Sequence, residues 1–301
     1  MGELITAEFR KILTTKLWWA LMIPALVVSF ADAFGWAALA TSVADRLNDN
    51  ELIRDFDVPI DQISWSVLAL TRGVNMATIF PMVFGALGIA SELRNRTITT
   101  TFLTGATRGA VLTAKAVTYV IWGLIYGVVI SLLVSAGVSA GSSSNYLPDG
   151  EQWFLILLAG ILSCVLWTLV GLGVGALMGS TTGAVVLLLV YALIIGPFGE
   201  VVIAGVTNAP HLAGILPNGS ANGLTGSTAA SLLSDQIKTM VLDRGGVIRD
   251  QDAINNLEEG VRVVAGAPGA FSLWISGLIF LGWTALLFGL GLWRNAKRDI
   301  T

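Results

Sequence analysis

The chain is 301 residues long, 54% hydrophobic and only 12% charged, with a mean hydropathy of +0.77 and a formal net charge of −3. A soluble domain of this length carries about a quarter charged residues, so an ordinary soluble fold is excluded. One cysteine (Cys164) and one histidine (His211) rule out an intrachain disulfide, a cysteine metal cluster and a two-histidine metal site; no nucleic-acid partner is expected.

Residues 3–16 open the chain with Leu4, Ile5, Phe9, Ile12 and Leu13 on one helical face and Glu3, Arg10, Lys11 and Thr14 largely opposite. This pattern predicts an amphipathic helix lying in the membrane interface, the alternative being a plain continuation of the first span. Apolar stretches of twenty residues or more follow. Each matches a hydrocarbon core of roughly 30 Å, and a backbone in lipid must satisfy its own hydrogen bonds, so each is expected to be a helix. The short alternating segments of a β-barrel are absent. The spans are expected at 18–40, 67–90, 116–140, 153–178, 183–205 and 272–293. The first run has no small-residue cleavage pattern, so a removable signal peptide is not expected. The fold class is therefore an all-α polytopic membrane protein, organised as one transmembrane domain over 1–301. Its parts are an interfacial helix at 1–17, spans one to five at 18–205, an outer region at 206–271, and span six with its tail at 272–301.

The outer region is too long for a turn. It holds Pro210, Pro217, a Gly/Ser/Thr-rich stretch from Asn218 to Ser227, then helical patches around Ala229–Leu242 and Asp250–Val264. Span five is expected to break at Gly196–Gly199, so that apolar 200–216 either leaves the bilayer or re-enters it as a short hairpin with protein or water around it.

Orientation follows from the basic residues. The N-terminus, 91–115, 179–182 and the C-terminus hold ten Lys/Arg against four acids, whereas the opposite segments hold six against fourteen. The first set is expected to be cytoplasmic, which an even number of spans permits. Trp18, Trp19, Trp65, Trp153, Trp274 and Trp293 fall at or near span ends, where indoles favour the interface. Arginine outnumbers lysine twelve to five, as in high-GC bacterial sequences, and the expected location is a bacterial inner membrane.

The segment after span two carries Glu92, Arg94, Arg96, Thr97, the apolar pair Phe102-Leu103, Arg108 and then Lys115. An apolar pair facing water suits a knob for a docking groove on another subunit; the alternative is a basic loop packed on its own helices. The segment resembles the corresponding part of ABC-2-type ATP-binding-cassette transporter permeases, where span two runs into an acidic residue, a basic pair, Gly-Thr, an apolar pair, a Pro-x-x-Arg stretch and a lysine opening span three. Here Arg96 stands for the glycine and Ala106 for the proline. The rest of the chain is similar in outline, with Arg10-Lys11 in the first helix and Leu216-Pro217 in the last outer region.

The resemblance implies that 92–108 is a coupling element gripped by a separate ATP-binding cassette subunit, with a second permease copy or paralogue and membrane lipids as further partners. It also implies a substrate path between two protomers along spans two and five, which nominates Asn75, Met76, Ile79, Phe80 and Phe84 with Leu189, Leu193 and Phe198. The chain binds no cofactor by this reading; ATP and Mg come through the partner, since no Gly-Lys dipeptide exists to build a phosphate-cradling loop. The substrate implied is amphipathic, drug-like or lipid-like, and the transport direction export. An ATP-independent channel or carrier is the alternative.

Three ionisable residues fall inside spans: Asp32, Arg72 and Glu200. Each costs about 2.5–3.5 kcal/mol at mid-bilayer unless it finds a partner or water. Asp32 and Arg72 are expected to pair across spans one and two, and Glu200 to face an outer vestibule; snorkelling to the headgroups is the alternative. Gly171, Gly175 and Gly179 on span four and Gly123/Gly127 on span three form small-residue ridges for close helix packing within the chain or between copies. An enzyme is not expected: Glu258, Glu259 and Arg262 resemble the Glu-Glu-x-x-x-Arg of intramembrane prenyl proteases but are one residue short and outside the spans.

Overall fold

The computed structural model describes residues 2–50, 60–95, 107–207, 209–243 and 251–297, and among these the regular structure is helical with no strand. α1 (Gly2–Thr14) is a helix of its own: the chain bends at Thr15 and Lys16 before α2 (Leu17–Asn48) begins. It is therefore no continuation of span one. It turns Glu8 and Ile12 inward, and Phe9 stacks on Trp122 of the third span at 5.8 Å.

Among the described residues, six helical segments are long and apolar enough to cross a membrane. α2 forms span one; at 32 residues it is about 48 Å long and overshoots the expected 18–40. Span two is jointed, with α3 (Val67–Ala77) and α4 (Ile79–Arg94) meeting at Thr78. Pro81 lacks an N–H, and its ring clashes with the carbonyl of Ala77. The joint falls beside that carbonyl, where Thr78 Oγ1 donates to the Asn75 carbonyl at 2.7 Å. α5 (Arg108–Gly141) and α6 (Gly150–Met178) are spans three and four. Span five does not break at Gly196–Gly199. α7 (Thr181–Val190) passes through a π-helical turn, Tyr191–Ile195, into α8 (Gly196–Val206). The wider turn takes up the missing donor and the bulk of Pro197, and the helix continues.

Spans two and four are the centre: 72% and 67% of their apolar stretches are buried, against 17% for span five and 22% each for spans one and six. They meet backbone to backbone. A Cβ on Gly171 would sit 1.9 Å from the Met82 carbonyl oxygen, one on Gly175 2.4 Å from that of Ala86, and one on Gly85 2.0 Å from that of Thr168. Gly123 and Gly127 of α5 similarly face the Cα atoms of Val165 and Ile161. Both ridges are therefore intrachain contacts, except Gly179, which ends α6 in the left-handed conformation at φ 63°.

The long region before span six turns back into the bundle. α9 (His211–Ile215) begins beside Gly269, just before α12 (Leu273–Lys297), and ends with the Ile215 carbonyl accepting from Trp283 Nε1 at 2.8 Å, well along that span. α10 (Pro217–Asp243) then runs back out, with Gly223 against Ser276, Gly226 against Ala267, and the Gln236 amide on Ser64 Oγ at 3.0 Å. The stretch Asn218–Ser227 is thus the first half of one 27-residue helix. Gly219, Gly223 and Gly226 recur on a face that lies close to α9, α12 and the 265–267 backbone, and this packing overrides their poor helix propensity. α11 (Gln251–Val264) completes the region. In α12, Gly291 lies against Gly173 and Ala176 of α6, so the last described residues share one end of the bundle with α1.

Replacing Gly171 by alanine is expected to lower stability by about 1–3 kcal/mol, the range for overpacking a filled interior, because the added carbon meets a backbone oxygen. Gly282→Ala on α12, where nothing lies within 4 Å, is the control. Thermal unfolding of both purified variants checks the difference.

Candidate functional site

Two polar centres are built into the bundle. The first lies at the end carrying α1. Lys115, about two turns into α5, is 1% exposed. Its Nζ is 2.6 Å from Glu8 Oε2 of α1 and 2.7 Å from Glu92 Oε1 of α4. Lys11 also reaches Glu92 Oε1 and lies 3.8 Å from Glu8 Oε1. Two ammonium groups and two carboxylates cancel. That is the arrangement in which a buried charge is tolerated, since an unpaired one costs several kcal/mol. Beneath them Phe84 packs on Tyr119, Trp122 and Tyr126 at 5.2–5.6 Å. Tyr126 in turn donates to the Trp18 carbonyl at 2.9 Å.

The position of this cluster matters more than its strength. α4 ends at Arg94 and α5 starts at Arg108, its first turn capped by Thr107 Oγ1 accepting from the Ala110 N–H. Glu92 and Lys115 therefore sit near the two roots of segment 96–106 and join both to α1. Arg94 Nη1 donates to Thr181 Oγ1 at 3.0 Å, adding the start of α7.

The second centre is a cavity of about 390 Å³ in the half of the bundle away from the termini. Asp32, Arg72 and Glu200 all line it. Glu200 is 2% exposed, accepting from Asn218 Nδ2 at 2.8 Å and from the Asn222 side chain. Asn75, another lining residue, accepts from Thr225 Oγ1 at 2.9 Å. Asn218, Asn222 and Thr225 recur at helical spacing, so the re-entrant α10 turns a polar stripe towards spans two and five. Arg72 donates to the Val264 carbonyl from Nη2 at 2.8 Å and to the Val263 carbonyl at 3.3 Å, while its guanidinium lies 5.0 Å above the Trp36 ring. The direct pair expected between Asp32 and Arg72 is not made. The two attract across the cavity, but the arginine is turned to the carbonyls ending α11, two acceptors without helical donors of their own that its flat five-donor fork can engage together.

A family model described as ABC-2 family transporter protein matches residues 3–300, from the first turn of α1 to the tail. The chain belongs to the ABC-2 transporter family. No curated protein matches it. Membership makes this ABC-2 protein a multi-pass membrane permease and implies association with an ATP-binding cassette subunit.

The residues singled out in the sequence fall in different places on the ABC-2 scaffold. Glu92 is buried, at 6% exposure; its carboxylate is held by Lys11 and Lys115 and is not displayed for a partner. Arg94 is exposed and Arg108 opens α5, while Arg96, Thr97, Phe102 and Leu103 lie outside the described residues. Asn75, Met76, Ile79 and Leu193 line the cavity. Phe80 packs on the core and Phe84 sits in the aromatic knot under the charge cluster. Leu189 is half-buried away from the cavity, and Phe198, 68% exposed, points off the bundle surface. Sequence reading missed Glu8 and Lys115 as a pair, although Glu8 stands between Leu4 and Ile12 on the apolar face at fourfold spacing, an unusual place for a carboxylate. It also missed Asn218, Asn222 and Thr225, whose helical period is hidden among glycines.

Lys115→Met leaves two buried carboxylates with only Lys11 between them, one negative charge uncompensated, and is expected to destabilise the protein by about 3–5 kcal/mol. Adding Glu92→Gln, which restores neutrality around Glu8 and Lys11, should recover part of the loss in the same thermal measurement. At the other centre, exchanging the charges (Asp32→Arg with Arg72→Asp) is expected to give no rescue over Arg72→Asp alone. An aspartate at 72 cannot donate to the Val263 and Val264 carbonyls, and folded yield of the single and double variants tests this.

Proposed function

We propose that the chain is the transmembrane permease subunit of an ATP-driven exporter. It works as a homodimer or with a related permease, beside two ATP-binding subunits that supply ATP and Mg. In this reading the end with α1 faces the cytoplasm of a bacterial cell and the cavity opens towards the outer half of the inner membrane, in keeping with the basic residues gathered at one end. The substrate is amphipathic, drug-like or lipid-like.

The observation that carries the reading is the four-residue charge cluster. Segment 96–106 leaves α4 and returns into α5, and both roots are joined to α1 through Lys115. A push on the segment by a partner therefore moves α1, α4 and α5 as a unit and cannot be absorbed by bending one helix end. From α4 the displacement passes to the Thr78 joint and on to α3, which carries Arg72 and Asn75 into the cavity wall. Motor contact at one end is thus linked to the substrate chamber at the other through one jointed span. Phe102 and Leu103 are the proposed contacts, with Arg94 at the edge.

The test is co-purification with a co-expressed ATP-binding cassette subunit from the same genome, followed by an ATPase assay. Phe102→Asp is expected to reduce assembly at least tenfold while membrane insertion is unchanged. Full assembly by the variant, or solute movement by the isolated chain in nucleotide-free vesicles, would overturn the reading in favour of an ATP-independent carrier.

A further inference from the structure

We propose that the cavity is a binding site for an organic monocation with an apolar body, so that the transported class is cationic amphiphiles and not neutral or anionic lipids. This rests on the permease reading for its biological meaning, but the binding itself does not require the ATP-binding subunit.

The argument is a count of charges and their partners at one wall. Three ionisable side chains face the space: Asp32, Glu200 and Arg72. Arg72 is already engaged. Its Nε and Nη2 donate to two backbone carbonyls and one face of its guanidinium covers Trp36, which takes up much of what it could offer a ligand. The carboxylates are not similarly satisfied. Asp32 has no hydrogen bond or ion pair within 4 Å among the described residues, and its one electrostatic partner is Arg72 across the gap. Glu200, almost fully buried, accepts from two neutral amides, those of Asn218 and Asn222. A carboxylate has about four lone-pair positions, so two amides leave acceptor capacity without supplying the opposite charge. With both carboxylates ionised the cavity wall is therefore formally −1, and its one cation is already engaged by backbone carbonyls and the Trp36 ring.

The rest of the wall selects the body of the ligand. Met76, Ile79, Met82 and Leu193 are apolar, and Trp167 adds an aromatic surface. A volume of about 390 Å³ suits a molecule at the lower end of the usual small-ligand range of about 300–1,000 Å³. Charge attraction from the carboxylates, cation–aromatic contact and burial of an apolar body favour the same chemistry. An anion meets the reverse: it would approach two carboxylates, and the one cation on the wall is already engaged. A neutral lipid gains the apolar contact only, leaving the carboxylates as they are.

The experiment uses the full chain in nanodiscs without its ATP-binding partner. Tetraphenylphosphonium is the probe, and tetraphenylborate, an anion of the same shape, is the control. Saturable, stoichiometric binding of the cation is expected, with tetraphenylborate failing to displace it. Glu200→Gln and Asp32→Asn should each weaken cation binding at least tenfold. Should Glu200→Gln fold poorly, Asp32→Asn and Met76→Arg carry the test. Met76 is 42% exposed at the cavity edge, and a cation there should abolish binding in a protein that unfolds at the wild-type temperature. No saturable binding to the wild type, equal binding of tetraphenylborate, or unchanged affinity in Asp32→Asn and Met76→Arg would each overturn the proposal. Retained assembly with the ATP-binding subunit alongside any of these would leave the permease reading standing.

Discussion

Hydrocarbon offers no hydrogen-bond partner, so a charge placed among apolar helices must be answered by another part of the same protein. In this chain that constraint fixes which elements belong together. Lys115 cannot stay at 1% exposure unless Glu8 and Glu92 come to it, and those two residues bring α1 and the end of α4. Glu200 cannot stay buried in span five unless Asn218 and Asn222 come to it, and those amides bring the start of α10 deep into the bundle. The apolar packing would tolerate several relative positions of these pieces. The polar groups tolerate few.

The two centres are mechanically connected through the middle of the molecule. α4 lies on α6 with glycines on both sides, so the contact is between backbones at Gly85, Gly171 and Gly175. Such an interface holds two helices at a fixed separation and opposes their parting. At the glycines themselves no side chain stands in the way of a short slide along the axis, the shear type of motion. At Thr78 the helix gives way to α3, because Pro81 has already removed one rung of the hydrogen-bond ladder. A stiff lower half, a close sliding contact and a joint next to the cavity residues are the parts needed for a local push to alter a distant chamber.

How much of this the sequence discloses depends on the length scale of the signal. Six spans, their approximate borders and a separate first helix are legible because hydropathy over twenty residues and amphipathic spacing are local properties. The glycine ridges were legible as close contacts but not as to their partners. The re-entrant helix was not legible beyond a suspicion about 200–216: Asn218–Ser227 has the composition of a loop, and only the neighbours of Gly219, Gly223 and Gly226 make it a helix. Glu92 was named as part of the docking segment, but its burial was not legible, because its partners Glu8 and Lys115 lie 84 residues upstream and 23 downstream in the sequence. The three intramembrane charges were found by position alone. That they share one cavity, and that Arg72 prefers carbonyls to Asp32, needed the fold.

The choice made by Arg72 has a consequence for how the cavity is closed. Val263, Gly266 and Pro268 form part of its wall, and they belong to the end of α11 and the turn after it, outside the spans. The last carbonyls of a helix lack donors of their own, so an arginine from span two that supplies them also holds this cover down. The turn is fixed from its other side as well, where Glu259 accepts the Gly269 N–H at 2.8 Å and Gly269 takes φ 65° beside Pro210. Arg72 sits on α3, above the Thr78 joint, so a displacement of α3 moves the donor away from carbonyls anchored to the opposite wall. Cavity shape and cover are then controlled by the same helix, and opening one without loosening the other would require the guanidinium to find new acceptors. Asp32, on the far side of the gap and without a bonded partner, is the cavity carboxylate that already attracts Arg72.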